Sequence, residues 1–192
     1  MKELSLHILD IAENSVHADA DKIEIAVTEN LKNDTLSIRI QDNGKGMDQA
    51  LVRQITDPFI TSRTTRKVGL GIPFFKAAAE ACNGSFQILS EPGKGTEVKV
   101  SFQRSHIDRM PLGDLRGTYL ALIIGYPDVN WILKYGRDER EFILDDNPIK
   151  EILDGVPLSE PEVIQYLREV INEGFNRVSK NESVNIKVQE TR

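Results

Sequence analysis

Over residues 2–16 apolar side chains recur with a helical period. Leu4, Ile8, Leu9, Ile11, Ala12, Ser15 and Val16 share one broad face, and His7, Asp10, Glu13, Asn14 and His17 gather on the other. The period then drops to two. Ile23, Ile25 and Val27 alternate with polar residues across 22–28, and Leu36, Ile38 and Ile40 do so across 36–42. Asn33-Asp34 lies between the two runs as a turn, so they are expected to pair antiparallel. A short helix is expected over 49–55, then a polar, cationic, hydroxyl-rich loop over 57–67 whose start Phe59 and Ile60 pin. A helix over 72–82 carries Pro73 in its first turn and ends at Asn83-Gly84. Strands over 85–90 and 97–103 flank Pro92-Gly93-Lys94-Gly95-Thr96. This order predicts an α+β fold, a two-layer α/β sandwich with helices on one face of a mostly antiparallel sheet.

After Phe102 the pattern changes. A helix is expected over 112–124 with Asp114 near its start, and a hairpin with strands 131–135 and 140–144. A short helix over 148–153, a longer one over 160–178 and a polar tail complete the chain. The expected division is therefore residues 1–103 as the main domain and 104–192 as a small α/β region that docks a partner or dimerises.

Composition narrows the class. Of 192 residues 40% are hydrophobic and 28% charged, as in soluble globular proteins. A net charge of −6 argues against a general binder of nucleic acid or anionic membrane. The longest apolar run, 119–124, is too short to cross a bilayer, and the N-terminus lacks the apolar core of a signal peptide. A cytoplasmic protein is the expectation. The single cysteine, Cys82, lies among alanines and reads as a buried structural thiol rather than a metal ligand.

Three glycine sites carry candidate chemistry. Asp42-Asn43-Gly44-Lys45-Gly46-Met47 follows a strand, so a carboxylate is delivered beside a tight turn. Such a carboxylate accepts hydrogen bonds from an amine like adenine N6. Gly69-Leu70-Gly71 at a helix start suits phosphate, through free backbone amides and the helix dipole, with Arg63, Arg66 and Lys67 just before it. The polar face of the first helix has no lysine or arginine. It is either a solvated face or an oxygen-rich set able to hold Mg²⁺. Neither Gly44-Lys45-Gly46 nor Gly93-Lys94-Gly95 satisfies a Walker-type loop, and no parallel βαβ unit precedes them as a dinucleotide fingerprint requires.

Taken together, residues 4–102 resemble the ATP-binding domain of the GHKL superfamily (gyrase, the Hsp90 class, histidine kinases and mismatch-repair ATPases), which implies the Bergerat, histidine-kinase-like ATPase fold. Asn14-Ser15-Val16-His17-Ala18-Asp19-Ala20 is similar to the N box, and places Asn14 at the Mg²⁺-binding asparagine. The 42–47 stretch resembles the first glycine box, Asp57-Pro58-Phe59-Ile60-Thr61-Ser62 the phenylalanine box, Val68-Gly69-Leu70-Gly71-Ile72 the second glycine box and Gly93-Lys94-Gly95-Thr96 the last. The resemblance implies ATP and Mg²⁺ as ligands. Asn14, His17 and Ala18 would contribute from the N box, and Asp42, Gly44, Gly46 and Met47 from the first glycine box. Ile60, Lys67, Gly69, Leu70, Gly71 and Thr96 would contribute from the later boxes. Lys67 stands where a further glycine is usual, so it either changes how that loop closes or touches phosphate itself.

Hydrolytic members carry a glutamate four residues before the asparagine; here it is Asp10, a candidate base, with Glu13 as its competitor. His17 is either a phosphate contact or a surface side chain. Residues 105–112 are similar to a histidine-kinase phosphoacceptor box with His106 at the acceptor position, the alternative being a linker histidine. What the resemblance implies is a signalling kinase of histidine-kinase or stand-alone anti-sigma type that transfers the ATP γ-phosphate to a protein, the alternatives being an ATP-hydrolysing conformational switch or an ATP sensor without chemistry. The resemblance leaves the protein partner or phosphoacceptor unidentified and a homodimer open.

Overall fold

A computed structural model describes residues 3–56 and 71–179. The two alternating runs form β1 (Lys22–Asn30) and β2 (Thr35–Asp42), paired antiparallel with Ile25 opposite Ile40 and Val27 opposite Ile38. β3 (Ser85–Glu91) and β4 (Gly95–Gln103) make the second hairpin, and β4 lies antiparallel to β2. β5 (Asn130–Arg137) and β6 (Arg140–Asp145) make a third. All six share one sheet in the order β3-β4-β2-β1-β5-β6. The helices are α1 (Leu4–His17), α2 (Gln49–Thr56), α3 (Gly71–Glu80), α4 (Leu115–Gly125), α5 (Asn147–Leu153) and α6 (Pro161–Ser179).

The two-residue period becomes two unlike faces. On one, Ile23, Ile25, Val27, Leu36, Ile38, Ile40, Val98, Val100 and Leu133 are buried in a single core with Leu4, Ile8 and Ile11 of α1, Phe75 of α3, Tyr119 and Leu122 of α4, and Leu167 of α6. On the other, Arg39 reaches Glu24 and Glu97, both at 2.6 Å, while Lys134 pairs with Glu24 and Lys99 with Glu97. Part-exposed pairs of this kind contribute only about 0–1 kcal/mol each, against roughly 1.5–3 kcal/mol for each buried aliphatic side chain. The apolar face therefore holds the layers together, and the open face supplies solubility. Cys82 is buried with a free thiol.

The expected boundary at 103/104 falls at the end of β4, and the strands on its two sides continue one sheet. β5 runs parallel to β1, with Leu133 opposite Ile25. A parallel neighbour needs a crossover, and α4 supplies it. On the way, the carbonyls of Pro111 and Leu112 accept the N–H groups of Leu4 and Ser5, both at 2.9 Å, which satisfies two orphan donors at the start of α1. α4 begins at Leu115, three residues later than its apolar run suggests. Asp114 caps it, its Oδ1 accepting the Gly117 N–H at 2.9 Å.

Candidate functional site

Asp42 closes β2 and is only 6% exposed, yet it is not an orphan charge. Its Oδ2 accepts the Ser15 hydroxyl at 2.6 Å, and its Oδ1 accepts the N–H groups of Gly44 and Thr96, both at 3.0 Å. Every partner is a donor, so both oxygens are used as acceptors. The turn after it is wedged between two backbones. A Cβ on Gly44 would fall 2.6 Å from the Ala18 carbonyl oxygen, which itself accepts the Lys45 N–H at 2.8 Å. Gly46 has a φ of +64°, and a Cβ there would fall 1.9 Å from the Glu91 carbonyl oxygen. Only glycine meets both demands. Ser90 then ties the loop to the last box: its hydroxyl accepts the Met47 N–H at 2.8 Å, lies 2.9 Å from Thr96 Oγ1 and donates to the Gly95 carbonyl at 3.0 Å. Asn43 is a clamp, its Oδ1 taking the N–H groups of Asp21 and Lys22.

The polar face of α1 divides. His7 is a correction to the sequence reading: it is 2% exposed, with its ring stacked on Phe75 of α3 at 4.9 Å and 6° between planes. Burial holds its pKa below the ordinary 6.5. Asp10, one turn on, has a buried Oδ2 with no hydrogen-bond partner among the described residues. Burial, and then the charge of Glu13, push its pKa up. Gly71 presses on it from the start of α3, where a Cβ would fall 1.7 Å from that oxygen. Asn14 lies four residues further along the same face and its side chain bonds no other described residue; Glu13 instead accepts the Tyr126 hydroxyl at 3.2 Å. His17 is exposed, and its carbonyl faces Lys45 Nζ at 3.5 Å.

Asp42, Gly44, Met47, Thr96 and Ala18 thus form one contact network with Gly46 in its turn, and Asp10 meets Gly71 beside it. Ile60, Lys67, Gly69 and Leu70, with the phenylalanine box, lie outside the described residues. Ser15 and Ser90 are members of this hydrogen-bond network that periodicity misses. Ser15 sits in the apolar stripe and Ser90 at a strand end, and a lone hydroxyl inside a buried stripe is the available signal. His106 lies at the other end of β4. Seven residue steps separate Thr96 from Gln103, about 23 Å of strand. Its Nδ1 accepts the Asp108 N–H at 3.2 Å.

Among the described residues no group of three or more His, Cys, Asp or Glu is placed to hold a metal ion. A cation here would be held by few protein oxygens, that of Asn14 first, with the remainder from water and phosphate. That donor set suits Mg²⁺ better than a metal needing a full protein cage. No helix among the described residues is long and apolar enough to cross a membrane.

Comparison with known proteins agrees with this geometry. The sensor protein kinase FleS of Pseudomonas aeruginosa is 37% identical over 89 residues, covering 46% of this chain and 22% of FleS. The cell-division control histidine kinase PdhS of Brucella ovis is 31% identical over 121 residues, covering 56% of this chain and 11% of PdhS. The matched part of the chain thus spans less than a quarter of the length of these relatives. The ATPase domain of Aquifex aeolicus MutL, solved with ADP, superposes with a TM-score of 0.51 at 15% identity, over 90% of this chain and 70% of that one, a likeness of fold. The model of the histidine kinase-, DNA gyrase B- and HSP90-like ATPases matches residues 2–106. On that match the chain belongs to the histidine kinase-, DNA gyrase B- and HSP90-like ATPase family.

Proposed function

We propose that this chain binds Mg·ATP and, as a cytoplasmic signalling kinase, transfers the γ-phosphate to a protein. The observation that carries the reading is Asp42: a buried carboxylate held by three donors at the end of β2, with acceptor capacity left for an adenine amine. The similarity to FleS and PdhS supports a kinase over other members of the family. Asn14 would hold Mg²⁺, whose chemistry is to neutralise phosphate oxygens. The first-turn amides of α3, beginning at Gly71, favour an anion at that helix end. Glu13 is engaged by Tyr126, so Asp10 is the better placed base. Residues 104–192 would dock the protein substrate or a second copy.

A second reading is ATP hydrolysis driving a conformational switch. It is favoured by the same buried Asp10 carboxylate, which is equally suited to orient water. Incubation with γ-labelled ATP and Mg²⁺ separates the two. Label on this chain or on a co-purifying protein supports the kinase. Phosphate release without label supports the switch, and binding with neither leaves an ATP sensor. In either catalytic case Asp10→Ala should abolish turnover while nucleotide binding survives.

A further inference from the structure

Asp10 and Glu13 stand three residues apart on α1, and they meet different helices. A Cβ on Gly71 would fall 1.7 Å from Asp10 Oδ2, so that carboxylate lies against the start of α3. Glu13 meets the end of α4 instead, where its Oε1 accepts the Tyr126 hydroxyl at 3.2 Å. A long helical side chain can also lie back over the preceding turn, and for Glu13 that turn carries Asp10.

Tyr126 is itself firmly seated. Its N–H donates to the Leu122 carbonyl at 3.0 Å, and its own carbonyl accepts the Val129 N–H and the Trp131 indole N–H, each at 3.2 Å. Trp131 is fully buried, and its ring lies 6.5 Å from that of Tyr126. Burial, and then the Glu13 charge, push the phenol above its ordinary 10, so it stays protonated and donates. Tyr126 also lies beyond residues 2–106, the part that matches the family, so this hold on α1 comes from outside the ATP-binding motifs.

We propose that Tyr126 is a positioning residue, which holds the Glu13 carboxylate at α4 and so leaves Asp10 as the single base. This role rests on the proposed function, in which a carboxylate takes the proton of the attacking group while the γ-phosphoryl passes to that group and ADP leaves. Glu13 is one methylene longer than Asp10, and side chains three apart on a helix begin only about 5–6 Å from each other at Cβ. Released from Tyr126, Glu13 reaches the ground that Asp10 covers and can accept the same proton.

The experiment combines three substitutions in the full chain. With ATP and Mg²⁺, Tyr126→Phe added to Asp10→Ala should raise the residual turnover of Asp10→Ala by at least about tenfold. Phenylalanine keeps the ring beside Trp131 and removes only the hydroxyl. Glu13→Gln as a third change should abolish the gain, since an amide takes up no proton. A purely structural role for Tyr126 would give a loss of turnover, not a gain. Without nucleotide, Tyr126→Phe should lower the thermal midpoint by roughly 2–4 °C, and by less than half as much once Glu13 is alanine. No recovery in Asp10→Ala, recovery that persists with Glu13→Gln, or equal thermal losses in both backgrounds would overturn the proposal. Absence of turnover in the wild type would instead count against the ATP reading, and the thermal cycle would still decide whether Tyr126 holds Glu13.

Discussion

Replacing Asp42 with asparagine keeps shape and removes charge, and the contacts around the side chain decide the outcome. The side-chain carbonyl can take the place of Oδ1 and accept from Gly44 and Thr96 as before. The amide NH₂ then occupies the position of Oδ2, facing Ser15 Oγ across 2.6 Å. Two donors would collide there, but Ser15 has an alternative. Its hydroxyl lies 3.3 Å from the Ile11 carbonyl and can donate to it, leaving its oxygen to accept from the amide. The fold should survive with three neutral hydrogen bonds in place of three charge-assisted ones, a loss of about 1–3 kcal/mol. For a chain of this size that lowers the thermal midpoint by roughly 2–10 °C. The ligand has no such alternative. An adenine amine would meet an NH₂ instead of an acceptor, and leaving that donor unpaired costs about 1–3 kcal/mol, or roughly a 5- to 150-fold weaker Kd. Guanine offers an acceptor at the same place, so the ratio of GTP to ATP affinity should rise. Calorimetric titration of both nucleotides into wild type and Asp42→Asn measures each quantity. A folded variant that binds ATP as tightly as wild type would refute the assignment of Asp42 to base recognition.

Gly46→Ala should be severely destabilising, by about 3 kcal/mol or more, because its Cβ would meet the Glu91 carbonyl at a φ of +64°; urea unfolding measures it, and a loss under about 1 kcal/mol would show that the loop moves freely. Asp146 is 1% exposed, accepts the Trp131 N–H at 2.9 Å and pairs with Lys150 at 2.8 Å, so Asp146→Ala should cost about 3–5 kcal/mol in the same assay without changing which nucleotide is preferred. His7 gives a signed pH effect. Its folded pKa lies below the ordinary 6.5, so below that pH the unfolded chain binds more protons and stability falls as pH drops through 6.5. His7→Phe should flatten the curve there by up to about 1.4 kcal/mol per pH unit. Asp10, with its pKa raised by burial and by the charge of Glu13, acts in the opposite sense, stabilising the fold as pH falls.

Where a single period governs, the sequence is legible. The alternation of Ile23, Ile25 and Val27 and of Leu36, Ile38 and Ile40 gives both strands and their buried face, because side-chain direction in a strand depends on parity alone. The turn residues of 42–47 are equally readable, since few backbones other than glycine tolerate contacts like those of Gly44 and Gly46. Long-range placement is not. Nothing in the 131–135 run says that Leu133 will lie opposite Ile25 in a parallel pair rather than in a sheet of its own. Periodicity misplaces His7 for a related reason. Helical angle puts it beside Asp10 and Asn14, but α3 packs over that part of the face and takes it out of water. Ser15 fails in the other direction: it counts as a small member of an apolar stripe until β2 delivers Asp42 to its hydroxyl.

The central claim is that the surface around Asp42 and Asn14 recognises an adenine nucleotide with its metal. Titrating the full wild-type chain with ATP in the presence and absence of Mg²⁺, by calorimetry, tests it directly. Saturable one-to-one binding that strengthens with Mg²⁺ and is far weaker for GTP is the predicted result. A folded protein that gives no heat and no thermal shift with ATP or ADP at millimolar concentration would contradict it.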